Sequence, residues 1–274
     1  GSRANAVLAL PDGRILAAGS STSSADKDFM LFRLLPDGRL DQTFNYDGTV
    51  TTAVGRYDDE ALTLALQKDG KILAGGYGSN GDNRDFALVR YNSDGSVDHD
   101  FGVAGMTVTA VGGSNDEITD MVVQDDGSIV ITGAAQGKNG RAVVLARYKA
   151  DGSLDASFAQ DGFSLSVTGV DAQAESVALS TTGRILIAGS YSDGRKRGLM
   201  LLGFDAAGKL DTTFGAQGIA VPADSSVFSE GYSILLAEDG KIFVAGAVGE
   251  QGARDAALFR FTAVGQPDSS FENN

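Results

Sequence analysis

Two short phrases recur along this chain, and they recur in step. One is a turn glycine followed by an apolar run: DGRILAAG around Gly13, DGKILAGG around Gly70, DGSIVITG around Gly127, TGRILIAG around Gly183 and DGKIFVAG around Gly240. The other is DGRLDQTF at 37–44. Its relatives are DGSVDHDF, DGSLDASF, AGKLDTTF and VGQPDSSF, and the glycines are Gly38, Gly95, Gly152, Gly208 and Gly265. Both sets advance by 57, 57, 56 and 57 residues. A catalytic motif needs one copy. Five copies at a fixed period mark a repeat architecture, in which each repeat buries its apolar faces against its neighbours.

Residues 61–111 serve as the type repeat. ALTLAL (61–66) alternates with period two, as a half-buried strand does. KDG (68–70) is a tight turn supplied by Asp-Gly. KILAGGY (71–77) is a short continuous apolar run, the pattern of a strand covered on both faces. After the polar stretch GSNGDNRD (78–85) come a third strand, FALVRYN (86–92), a long Gly/Asp turn (93–105) and a fourth strand, MTVTAV (106–111). No segment carries an apolar stripe of helical period and length.

A lone four-stranded sheet cannot bury both faces, whereas sheets stacked about an axis can, with short protected edges. The expectation is therefore all-β: a β-propeller of five repeats, each a four-stranded antiparallel blade. It reads as a single domain over 1–274, with blades at about 4–54, 61–111, 118–168, 174–223 and 231–274. A parallel β-helix has much shorter coils, and a repeat of this length is too small for a two-sheet core. Repeat five reaches Phe271 with no fourth strand behind it, so its blade is expected to lack the outer strand and to offer an edge for pairing with another chain or segment. Val221-Pro222 is placed in the fourth strand of repeat four, where an edge tolerates proline.

The formal net charge of −14 argues against nucleic acid and against an anionic bilayer surface, both of which call for clustered Lys and Arg. No apolar run approaches the roughly 18–20 residues of a membrane span. With no cysteine there is no disulfide, thiolate metal site or Cys nucleophile. The single histidine, His99, rules out a multi-His zinc site, and no phosphate-binding GxxxxGK[ST] loop occurs.

LQKDGKILAGGY (66–77) followed by DFALVRYNSDGSVDHDFG (85–102) resembles the bacterial delta-60 repeat, and the likeness runs through all five repeats. Repeat four departs most, with Thr182 before its turn glycine and GLMLLGF (198–204) where the others carry an arginine. The resemblance implies a propeller of otherwise unknown function, often part of large surface or secreted bacterial proteins. The expected location is thus extracellular, cell-surface or periplasmic. The resemblance implies no catalytic residues.

Asp41, Asp98, Asp155, Asp211 and Asp268 share one register, as do Phe44, Phe101, Phe158, Phe214 and Phe271. The carboxylates are read as caps of the turn, accepting nearby backbone N–H groups. The rings are read as plugs between neighbouring blades. Arg33, Arg90, Arg147 and Arg260 lie eight residues before the matching Asp, a spacing that suggests an Arg–Asp clip; Gly203 leaves Asp211 without that partner. Gly19, Gly76, Gly133, Gly189 and Gly246, at the ends of the second strands, suggest a bulge or a close backbone approach.

Function is sought where the copies disagree: in the loops joining strands two and three and in those joining successive repeats, expected on one face. Candidate recognition residues there are Asn83, Arg84, Arg141, Arg195, Lys196, Arg197 and Arg254. Asp59, Glu60, Asp116, Glu117 and Glu230 are candidate carboxylates at a channel mouth, able in principle to hold a cation such as calcium or to act as acid and base on a glycan. Arg3 and Gln173 stand in the same register as Glu60 in repeats one and four, so that ring of acids is incomplete. The leading expectation is a non-enzymatic scaffold or binding module that recognises a protein, glycan or surface partner. The alternative is a carbohydrate-active hydrolase or lyase. No resident cofactor or metal is expected.

Overall fold

In the computed structural model the chain is all-β. The structure describes every residue except 23–25, 138–139, 167–170, 193, 225–227, 250–252 and 272–274. Five antiparallel sheets follow one another in sequence, one per repeat, each with its strands in chain order. Sheet one holds β1 (Ser2–Ala9), β2 (Ile15–Thr22), β3 (Lys27–Leu34) and β4 (Thr49–Thr52). Sheet two holds β5 (Glu60–Leu66), β6 (Ile72–Ser79), β7 (Arg84–Tyr91) and β8 (Met106–Thr109). Sheet three holds β9 (Asp116–Val123), β10 (Ile129–Gly137), β11 (Gly140–Tyr148) and β12 (Phe163–Ser166). Sheet four holds β13 (Asp171–Leu179), β14 (Ile185–Ser192), β15 (Arg197–Phe204) and β16 (Ile219–Ala220). Sheet five holds β17 (Ser229–Leu236), β18 (Ile242–Val248) and β19 (Asp255–Phe261), with no fourth strand among the described residues.

The strands overrun the polar stretch between the second and third. β6 and β7 pair out to Ser79 and Arg84, leaving only residues 80–83 in the loop. Ladder bonds are made by the backbone, so polar side chains do not stop them. The fourth strand of repeat four is shorter than expected: it ends at Ala220, and Pro222 lies beyond it.

The chain divides into two compact units, Gly1–Val130 with Arg147–Leu154, and Ile131–Ala146 with Asp155–Asn274. In the first, Leu16, Ala18, Phe29 and Leu31 of sheet one form one core with Ile72, Ala74, Ala87, Val89 and Tyr91 of sheet two. The buried Tyr91 hydroxyl donates to Thr52 Oγ1 at 2.9 Å, so the core leaves no orphaned phenol there. In the second, Leu186, Ala188, Leu199 and Leu201 of sheet four pack with Ile242, Val244, Phe259 and Phe261 of sheet five.

The recurring strand-two glycine lies inside its strand rather than at its end. Opposite it the first strand carries a bulge, with register shifts at Ala4/Ala6, Ala61/Thr63, Ala174/Ser176 and Gly231/Ser233. A Cβ on Gly76 would lie 2.0 Å from the Glu60 carbonyl oxygen, so only glycine lets the two strands meet there. The bulge has a consequence for side chains. It brings the outward-turned residue of strand one, such as Asn5 or Tyr232, beside the carboxylates described below.

The opening phrase is a compact double turn. Gly38 N–H donates to Leu35 O, Asp41 N–H to Arg33 O, Phe44 N–H to Asp41 O and Gly48 N–H to Phe44 O. Repeats two and four make the corresponding bonds. Each buried Phe ring then covers the turn glycine of the next repeat. A Cβ on Gly95 would fall 2.9 Å from Phe44, and one on Gly265 would fall 2.7 Å from Phe214. The same pairing joins Phe101 to Gly152 and Phe158 to Gly208. Phe44, Phe101, Phe158 and Phe214 thus each fill the space between one repeat and the next.

Candidate functional site

Each recurring Asp caps its turn with one oxygen, and Asp41, Asp98, Asp211 and Asp268 hold a cation with the other. Oδ1 caps the turn, accepting the backbone N–H of Thr43, Asp100, Ser157, Thr213 or Ser270 at 3.0–3.3 Å. Oδ2 takes a guanidinium: Arg33–Asp41 is 2.8 Å, Arg90–Asp98 is 2.6 Å and Arg260–Asp268 is 2.8 Å. A second cation, one residue after the turn glycine, joins from strand two: Arg14 at 3.1 Å from Asp41, Lys71 at 2.7 Å from Asp98 and Lys241 at 3.5 Å from Asp268. Burial alone would raise the Asp41 carboxyl, but hydrogen bonds from Thr43, Arg14 and Arg33 hold it well below its ordinary value.

In repeat four, where Gly203 supplies no strand-three arginine, Asp211 takes its cation from the strand-two position instead: Arg184 lies 2.8 Å from its Oδ2. A side chain at 203 has no room, because a Cβ there would come within 2.6 Å of Phe214. The guanidinium of Arg33 or Arg90 sits 4.7 Å over its Phe ring, and Arg184 takes the equivalent place 5.4 Å over Phe214. These arginines also reach across the seam to main-chain carbonyls: Arg33 to Ser93, Arg90 to Ala150 and Arg184 to Ala263.

The two sets of candidate functional residues prove to be partners of each other. Lys27, Arg84, Arg141, Arg197 and Arg254 share one register at the start of strand three. Lys27 Nζ lies 4.0 Å from Glu60, and Arg84 lies 3.9 Å from Glu117. Arg141 binds Asp171 through both carboxylate oxygens, at 2.9 and 3.0 Å, and also donates to Gln173 Oε1. Arg197 Nε stands 2.7 Å from Glu230 Oε1. Lys27, Arg84, Arg141 and Arg197 each meet the first strand of the next repeat.

Glu230 is also met by Arg254 at 2.5 Å and by the Tyr232 hydroxyl at 2.5 Å. The space beside it holds about 10 Å³, too little for a ligand. Glu60 accepts from Asn5 at 2.8 Å and from Tyr77 at 3.1 Å. Burial raises its pKa, but those bonds and the Lys27 charge outweigh burial and lower it overall.

Asp59 and Asp116 behave differently, because both are fully buried at the repeat junction. Asp59 accepts from Val54 N and Gly55 N at 2.8 Å and from Ser79 N at 2.9 Å. Asp116 accepts from Val111 N and Gly112 N at 2.9 and 3.0 Å, while its Oδ1 has no partner among the described residues. Burial pushes both carboxyls above their ordinary value. Among the described residues, no group of three or more His, Asp and Glu is arranged to hold a metal ion.

The family model for a domain of unknown function, the DUF5122 beta-propeller, matches residues 10–44, 67–101, 124–158 and 237–271, just over half the chain. The chain belongs to this family. Each DUF5122 match ends on the Phe of the plug register and contains the recurring Asp, so the family signature covers the residues of the seam chemistry described above. Repeat four, whose clip runs through Arg184, lies outside the matched segments. No curated protein matches the sequence. Among solved structures, the chain is similar to an endo-arabinase from Bacteroides thetaiotaomicron, at 6% identity, TM-score 0.46, and coverage of 92% of this chain and 91% of the other. It is similar to a xylan β-1,4-xylosidase from Bacillus halodurans at 12% identity and TM-score 0.41, covering 95% of this chain but 53% of that one. A third likeness is to the extracellular domains 1–2 of Drosophila Semaphorin 1b, at 10% identity and TM-score 0.44, covering 97% and 68%.

In the matched repeats the loops that join strands two and three lie within the DUF5122 segments, and in repeats one and two they meet the connecting loops. Lys27 N–H donates to Asp58 Oδ1 at 3.0 Å, Arg84 N–H to Asn115 Oδ1 at 3.0 Å and Asn83 Nδ2 to Ser114 O at 3.2 Å. Parts of these loops fall outside the described residues. In the first compact unit they frame a hollow of about 380 Å³, lined by Val54, Gly55, Arg56, Ser79, Asn80 and Asp85. Tyr57 stands beside Gly81 on the same loops with 54% of its surface exposed. Of the basic triplet, Arg197 is committed to Glu230, while Arg195 is exposed. His99 is exposed, 3.4 Å from Ala104 O on the turn side.

Several residues that build the site were not singled out from the sequence. Arg14, Lys71, Arg184 and Lys241 form a basic column directly after the turn glycine, and that column was the available signal. Arg56 and Tyr57 had no repeat counterpart to draw attention to them.

Proposed function

We propose that this chain is a non-enzymatic binding module of a bacterial surface or secreted protein, and that it recognises a protein or glycan partner through the loops joining strands two and three and the connecting loops. The observation that carries this reading is the division of labour among the polar residues. Glu60, Glu117 and Glu230 are engaged by cations or hydrogen-bond donors at the seams, and Asp59 and Asp116 are turned onto backbone N–H groups. The Arg56/Asn80 hollow and the exposed Tyr57 remain as an accessible surface with an aromatic platform and hydrogen-bonding groups.

The test is a screen of the chain against immobilised glycans and envelope proteins, repeated with Tyr57→Ala and Arg56→Ala. A hit weakened at least ~10-fold by either substitution supports the reading, since aromatic and Arg anchors dominate interfaces. Release of reducing ends or unsaturated sugars from a polysaccharide, abolished by Glu60→Gln or Asp59→Asn, would replace it with the hydrolase or lyase reading.

A further inference from the structure

Sheet five presents a face that every earlier sheet has covered. Leu258 is 47% exposed, whereas its counterparts Leu31, Leu88, Leu145 and Leu201 are all 0% exposed. Ala245 and Ala256 on the same face are exposed as well, while their counterparts in sheet four, Ala188 and Leu199, are fully buried. Phe271 has the plug register, yet it is only half-buried and rests edge-on against Phe243 of its own sheet, with ring centroids 6.0 Å apart. Arg254 has the register of the cations that cross each seam to the following repeat, yet it turns back to Glu230, an acid already held by Arg197. Each half of a seam is thus present on sheet five: the apolar face, the aromatic plug and the cation.

We infer that this face is a docking surface for one kind of partner: a further blade of the same repeat, continued from β19 as each sheet is continued from the one before. The partner must carry an acid at the start of its first strand, in the register of Glu60, Glu117 and Glu230 or in that of Asp171, to take Arg254, and a bare turn glycine to receive Phe271. The first repeat of a second copy does not meet both conditions. Gly38 offers the open turn, with nothing within 4 Å of a Cβ built there, but Arg3 stands where the acid belongs and would face Arg254 with like charge. Covering Leu258 and Phe271 also follows from the other seams, where burial of this face supplies the core.

The experiment extends the full chain after Phe271 with a second copy of residues 45–101, which carries Glu60 and Gly95, and compares it with the same extension bearing Glu60→Arg in the appended copy. Amide exchange is followed site by site in β19, together with the melting temperature. The expected result is at least ~10-fold slower exchange at Ala256–Phe259 and a rise of about 5–10 °C, with at least half of the rise lost in the Glu60→Arg extension. Unchanged exchange in β19 overturns the proposal even if the appended segment fails to fold stably. A rise indifferent to Glu60→Arg overturns the charge requirement. If sedimentation shows the unextended chain associating head to tail, with β19 protected, the second copy is the occupant and the proposal falls.

Discussion

The seam between sheets one and two and the seam between sheets four and five do the same work with different residues. In the first, Asp41 is gripped by Arg33 from strand three and Arg14 from strand two, and the Arg33 and Asp41 side chains are only 3% and 4% exposed. In the second, Gly203 replaces the strand-three arginine, and among the described residues Arg184 is the one cation on Asp211, with side chains 25% and 18% exposed. The backbone turn, the Asp cap and the Phe plug are common to both. What must be kept is therefore a charge over the ring and on the carboxylate; the strand that supplies it is free to change.

That comparison can be broken first at the plug. Phe44→Ala and Phe214→Ala are each expected to cost about 3–5 kcal/mol in urea denaturation, because both rings are fully buried against a bare glycine. Unequal losses would mean that the two seams differ in more than their cations. Next comes the carboxylate. Asp41→Ala leaves the buried Arg33 without its carboxylate and is expected to cost about 3–5 kcal/mol. Asp211→Ala frees a more exposed arginine and is expected to cost about 1 kcal/mol. A smaller contrast lies in the cations of strand two. Arg14→Ala has Arg33 behind it and is expected to cost under about 0.5 kcal/mol, whereas Arg184→Ala removes the one cation that Asp211 has among the described residues and should cost about 1 kcal/mol. Restoring the repeat consensus with Gly203→Arg should destabilise rather than rescue, by about 1–3 kcal/mol, because its Cβ collides with Phe214.

The smallest effect expected is on acid stability. Asp171 is held at about 2 by hydrogen bonds and charge from Arg141, and Asp268 at about 2, first by Ser270 and then by Arg260. A carboxyl whose pKa is lowered on folding stabilises the protein above its unfolded value near 3.9, and that contribution is lost as pH falls towards the folded value. Stability should therefore drop between about pH 4 and pH 2, and Arg141→Ala should flatten that drop in acid titrations of the melting temperature. An unchanged slope would count against the Arg141–Asp171 pair in solution.

Much of this was legible residue by residue. The 57-residue step set the number of sheets, and period-two alternation set the strands. The Asp and Phe columns announced the turn cap and the plug, and eight-residue spacing announced the Arg33–Asp41 clip. The candidate site was read less well. Glu60, Glu230, Arg197 and Arg254 were picked out as two groups facing solvent, and they are largely occupied with one another. Arg184 was passed over, because its partner lies 27 residues along the chain.

Local pattern reports how a strand is covered on average, since apolar period and turn chemistry act over a few neighbouring residues. For this protein that sufficed to determine an all-β repeat fold, its strand order and the parts of each turn. Choice of partner is settled between residues far apart in the chain, 27 positions within a repeat for Arg14 and Asp41 and 33 positions across a seam for Arg84 and Glu117 or Arg197 and Glu230, which come within 4 Å. There the outcome depends on which side chain has room and which charge is already taken. Only the tertiary structure decided that Arg184 replaces the missing arginine, that the loop cations and strand-one acids neutralise each other, and that the apolar face of sheet five stands open.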